Sequence, residues 1–94
     1  MEPKTLSRQE IRATVVSALL ATKPDQQAAA LVDDETAIGG AGLGISSLNM
    51  LQALVRIEDS LGIVFDDRTV ADAALSSVGS VVDLVEHMLA EQRR

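Results

Sequence analysis

Val78, Val81, Val82, Val85, Met88 and Leu89 recur at three- and four-residue spacing, which puts six apolar side chains on one face of a helix near the end of the chain. No segment shows the strict alternation of a half-buried strand. Phe65 is the only aromatic residue among the 94. Sheets draw on aromatic and β-branched residues, whereas Ala and Leu, abundant here, are strong helix formers. The pattern therefore predicts an all-α fold, and the length allows a single domain over 1–94.

The other helices can be placed by their signals. Ser7-Arg8-Gln9-Glu10 has the form of a capping box, and Ile11, Val15 and Leu19 follow at helical spacing. Lys23-Pro24-Asp25 is expected to stop this first helix, because the residue before proline avoids the helical region. Residues 24–44 read as a long connection, with a short helical turn over 26–32, an acidic Asp33-Asp34-Glu35, one large apolar anchor at Ile38, and glycines at 39, 40, 42 and 44. Ser46-Ser47 starts a second helix that Gly62 ends near Leu61. Asp66-Asp67-Arg68 reads as a turn. Thr69 with Asp72 reads as a cap for a short third helix over 70–75, and Ser77 opens the last helix. The expected fold is a small four-helix bundle of three longer helices and a short third one. Residues 1–6 are expected to be loose and 92–94 to fray, with Arg93 and Arg94 suited to the negative end of the last helix.

The second helix carries more apolar surface than a small bundle needs. Met50, Leu54, Ile57 and Leu61 form one stripe. Leu48, Leu51 and Val55 form another, displaced by roughly a third of a turn. Glu58 lies beside this second stripe, and a carboxylate is rarely buried without a partner. Two readings stay open on the pattern alone: the stripe is an exposed docking strip rimmed by Glu58 and Asp59, or the last helix covers it.

Charge and composition exclude several functions. Fourteen acids against eight bases give a net charge of −6. Residues 25–67 hold eight acids and one base, Arg56, for a net −7. The six acids and seven bases of the flanks leave them at +1. Such a surface repels phosphate backbones, so no nucleic-acid partner is expected, and basic protein surfaces suit it better. The absence of cysteine removes disulfides, zinc knuckles and thiol nucleophiles and suits a cytoplasmic location. Met1-Glu2-Pro3-Lys4 lacks the layout of a signal peptide, and no apolar run reaches the ~20 residues of a membrane span.

The catalytic inventory is small. His87, the single histidine, falls opposite Val78, Val82 and Val85 and reads as a solvated surface residue. The acidic pairs lack the spacing of a calcium loop. Gly39 and Gly44 have the glycine spacing of a phosphate-binding P-loop, but Ile45 stands where its lysine is needed. No metal and no enzymatic activity are expected. Ser46 and Ser47 remain. Serine before an apolar helix is commonly a cap, and a serine there can also carry a phosphate ester facing the positive end of the helix.

Gly42-Leu43-Gly44-Ile45-Ser46-Ser47-Leu48, followed by an amphipathic helix with Glu58-Asp59, resembles the attachment segment of acyl carrier proteins, whose pattern is Leu-Gly-x-Asp-Ser-Leu. The layout from about Leu6 to Leu89 is similar to that family as well. The resemblance implies a bundle of the acyl-carrier type that is not an enzyme. It implies that a phosphopantetheinyl transferase attaches phosphopantetheine from coenzyme A to Ser47, and that the arm carries acyl intermediates as thioesters. It further implies that Leu48, Leu51, Val55, Glu58 and Asp59 dock acyl-loading and condensing or transferring enzymes. A discrete monomeric carrier of polyketide or fatty-acid-like synthesis is expected, with an aminoacyl or peptidyl carrier of a nonribosomal-type pathway as the alternative. A plain helical interaction domain, with Ser47 only a cap, is the reading from a different class. Ser46 replaces the family's usual Asp, and Gln52 and Arg56 make the second helix less negative than in typical fatty-acid carriers, which bears on partner identity.

Overall fold

The computed structural model describes residues 6–22, 32–39 and 43–92. Four helices run in the order α1 (Arg8–Ala21), α2 (Ser47–Leu61), α3 (Asp67–Asp72) and α4 (Val78–Gln92). No strand occurs among the described residues, and one isolated bridge pairs Ala37 with Ser77. The protein is a small all-α bundle in which α1 packs against both α2 and α4.

The capping box of α1 is complete. Ser7 Oγ accepts from the Glu10 N–H at 3.1 Å, and Glu10 Oε1 accepts from the Ser7 N–H at 2.9 Å. Ile11, Val15, Ala18 and Leu19 turn inward. At the other end the Thr22 hydroxyl donates to the Leu19 carbonyl at 2.7 Å, which satisfies one of the free carbonyls of the last turn. The Lys23-Pro24-Asp25 stop and, apart from Val32, the turn expected over 26–32 lie outside the described residues, as do Gly40, Gly42, Arg93 and Arg94.

Gly62 ends α2 in the left-handed region at φ 68°, where a side chain would be strained. The third helix begins and ends three residues earlier than its sequence signals indicate, stopping at Asp72 with Ala73 extended. Its cap is Asp66, whose carboxylate accepts from the Thr69 N–H at 3.1 Å, so Asp67 and Arg68 belong to the helix rather than to a turn. Both Asp66 and Thr69 suit a cap, and the link from Ile63 to Phe65 decides between them by burying Ile63 and Phe65 and leaving Asp66 in extended backbone.

The start of α4 is met by the loop over 33–38. Val78 N–H donates to the Thr36 carbonyl at 2.9 Å and Gly79 N–H to the Asp34 carbonyl at 2.8 Å. Loop carbonyls thus satisfy donors that a helix start leaves unpaired. Ser77 Oγ accepts from the Ser80 N–H at 3.2 Å, and Ser80 Oγ accepts from the Ser77 N–H at 3.0 Å.

The core joins the inward faces of α1, α2 and α4 with Ile38, Leu43, Ile45, Ile63 and Phe65 from the connections. Burial of this many aliphatic side chains is the main stabilising term. Leu6 packs partly against the core instead of lying loose. Gln92, expected at a fraying end, is hydrogen-bonded to Val64.

Candidate functional site

The two serines at the start of α2 have different positions and different partners. Ser46 is the N-cap, and its Oγ accepts from the Asn49 N–H at 3.2 Å. Ser47 is the first helical residue and is exposed, and its hydroxyl has no hydrogen-bond partner among the described residues. Asn49 Nδ2 also donates to the Thr22 carbonyl at 3.3 Å, which ties this end of α2 to the end of α1. The first turn of α2 contains no acidic residue, so the positive end of the helix is uncompensated by its own side chains.

Beside Ser47 lies a groove of about 400 Å³ lined by Ile38, Ile45, Ser46, Met50, Leu51, Val70 and Leu75. A second groove of about 410 Å³ runs between α2 and α3 past Leu54, Val55, Glu58 and Phe65. The two share Leu51 and Val70, so apolar surface extends from Ser47 along α2. The α3 helix has no buried residue and borders both grooves. A larger hollow of about 700 Å³ on α1, lined by Arg12, Val16, Leu20 and Val32 among others, shares no residue with the Ser47 groove.

The two stripes of α2 separate cleanly. Leu54 and Ile57 are buried, with Ala53 beside them, and Met50 and Leu61 are half-buried. Leu48, Leu51 and Val55 are 64%, 56% and 53% exposed, which rules out cover by α4. Asp59 is exposed. Glu58 is half-buried, and its Oε2 accepts from the Phe65 N–H at 2.6 Å, so this carboxylate braces the link after α2.

Two features escape the sequence reading. Val64 is 67% exposed and adds to the apolar surface, and its place between the inward Ile63 and Phe65 is the period-2 signal that could have identified it. The second is a charge cluster. Asp34 Oδ2 accepts from Arg8 Nη2 at 2.9 Å and Asp34 Oδ1 from Arg12 Nε at 2.7 Å, while Arg8 Nη1 reaches Asp83 at 2.8 Å and Glu86 at 2.6 Å. The hydrogen bond from Arg8, aided by Arg12 and opposed by partial burial, holds the Asp34 carboxyl below its ordinary range. The same carboxylates raise the Arg8 guanidinium above its usual value.

His87 is exposed. Among the described residues no group of His, Asp or Glu is arranged to hold a metal ion, and no helix is long and apolar enough to cross a membrane. Asp33 is used locally, its Oδ1 accepting from the Glu35 N–H at 2.9 Å. Compared with known proteins, the chain matches no family model, no curated protein and no solved structure.

Proposed function

We propose that this protein is an acyl carrier whose Ser47 hydroxyl is the attachment point of a phosphopantetheine arm. The observation that carries the reading is the division of labour between the two serines: both are exposed and border the apolar groove, but Ser46 Oγ is engaged as the cap while the Ser47 hydroxyl has no partner among the described residues. Ser47 suits a phosphodiester on physical grounds. Free N–H groups of the first turn and the helix dipole favour an anion there, and no neighbouring acid in that turn opposes one.

The arm supplies a thiol that holds cargo as a thioester. The chain contributes the rest. Ser47 offers the hydroxyl, the groove past Met50, Leu51 and Val70 offers shelter for an apolar chain, and Leu48, Leu51 and Val55 offer a docking strip. Asp59 and Asp67 place negative charge near that strip, which favours partner enzymes with basic rims. The phosphopantetheinyl transferase and the acyl-loading and condensing enzymes are such partners, and polyketide or fatty-acid-like synthesis is the setting in this reading.

The test is mass spectrometry after incubation with coenzyme A and a broad-specificity phosphopantetheinyl transferase. A gain of one phosphopantetheine that persists in Ser46→Ala and vanishes in Ser47→Ala supports the assignment. No gain, or a gain that survives Ser47→Ala, overturns it.

A further inference from the structure

We propose that Arg8, acting through Asp34, is a positioning residue for the groove beside Ser47. The chain of contacts is continuous. Arg8 and Arg12 on α1 grip the Asp34 carboxylate from two sides. The Asp34 backbone is seated on the head of α4, its carbonyl accepting from Gly79 N–H at 2.8 Å. Gly79 is buried there, and a Cβ on it would lie 2.9 Å from the Asp34 oxygen, so the loop sits as close to the helix as backbone allows. Farther along the loop, Ile38 N–H donates to the Ser76 carbonyl at 3.0 Å, and the Ile38 carbonyl accepts from Ile45 N–H at 2.8 Å. Ile38 and Ile45 are buried, and both line the groove beside Ser47.

The ion pairs therefore hold one end of a loop whose other end forms a groove wall. The groove is a place between bodies fastened in different ways. Its α2 side is anchored by the core through Leu54 and Ile57. Its loop side is held by the burial of Ile38, Leu43 and Ile45 together with a few backbone hydrogen bonds and the grip at Asp34, and loop segments open at lower free energy than packed helices. Arg8 also contacts Asp83 and Glu86, so one guanidinium joins α1, the loop and α4. The pairs are about one-third exposed, so salt weakens them without emptying the core. This inference concerns the shape of the groove and holds whether or not Ser47 is modified.

The test is amide hydrogen exchange by NMR on the full chain, comparing the wild type with Arg8→Gln, Asp34→Asn and Arg8→Lys. In Arg8→Gln and Asp34→Asn the Ile38, Leu43 and Ile45 amides are expected to exchange about threefold to fivefold faster, and core amides such as Val15 and Val85, which open with the whole fold, are expected to rise by that factor at most. Arg8→Lys, which keeps the charge, is expected to restore part of the protection. Raising salt to about 0.5 M on the wild type reproduces the local pattern without any substitution, which covers a variant that folds poorly. Loop amides that are unchanged, or that rise less than those of the core, overturn the proposal. The readout is independent of cofactor attachment, so its failure is distinct from failure of the carrier reading.

Discussion

The Gln92 side chain closes on the backbone of Val64 from both sides, its amide oxygen accepting from the Val64 N–H at 3.0 Å and its amide nitrogen donating to the Val64 carbonyl at 2.8 Å. The last residue of α4 thus replaces a missing strand partner for the link after α2. The link can then bury Ile63 and Phe65 while it turns Val64 outward.

Gln92→Ala is expected to cost about 1 kcal/mol, since two hydrogen bonds are lost but the exposed backbone regains water. Urea denaturation reads the loss directly. A change indistinguishable from zero would show that this amide bracket contributes nothing to stability.

Gly79→Ala sets two effects against each other. Alanine in a helix gains about 1 kcal/mol over glycine. Here its Cβ would meet the Asp34 backbone oxygen at 2.9 Å and Asp34 Cβ at 3.0 Å, neither of which is a flexible side-chain end. Overpacking of this kind costs about 1–3 kcal/mol, so the variant is expected to be less stable on balance. A rise in melting temperature would contradict the close approach.

Leu51→Asp and Ile57→Asp separate the two stripes of α2. Ile57 is fully buried, and an unpaired carboxylate there costs several kcal/mol, on the order of the whole stability of a small domain. Leu51 is more than half exposed, so its change is expected to shift stability by within about 0.5 kcal/mol, and under the proposed carrier function to weaken transfer to partner enzymes. Circular dichroism of both variants, with a transfer assay on Leu51→Asp, checks the pair.

Asp34 makes stability depend on acid pH. Its folded pKa is depressed below the ordinary 3.8, so its contribution is fully present above that value and is lost as pH falls through the lower folded value. Its side chain is about one-third exposed, which reduces the size of the effect. Asp34→Asn removes this contribution, so the variant and the wild type are expected to differ more in urea midpoint at neutral pH than near pH 2. An equal difference at both pH values would argue against the paired carboxylate.

Much of the architecture was readable from local chemistry. The Ser7 and Glu10 pair, the glycine after Leu61 and the stripe from Val78 to Leu89 each act within a few residues, and all three appear where their spacing puts them. The start of α3 was misread because Asp66 and Thr69 are both competent caps, and only the burial of Ile63 and Phe65 selects the first. Glu58 was legible as a residue near solvent, but its bond to the Phe65 N–H required knowing how the chain turns after Gly62.

The residues alone determined the helical class, the two apolar faces of α2 and the pair of serines at its head, because periodicity and capping depend on neighbours three or four positions away. Tertiary structure decided which face of α2 meets water and that Arg8 meets acids 26, 75 and 78 positions away. Those outcomes depend on packing between segments distant in the chain, and no local pattern records which distant surfaces exclude water from one another.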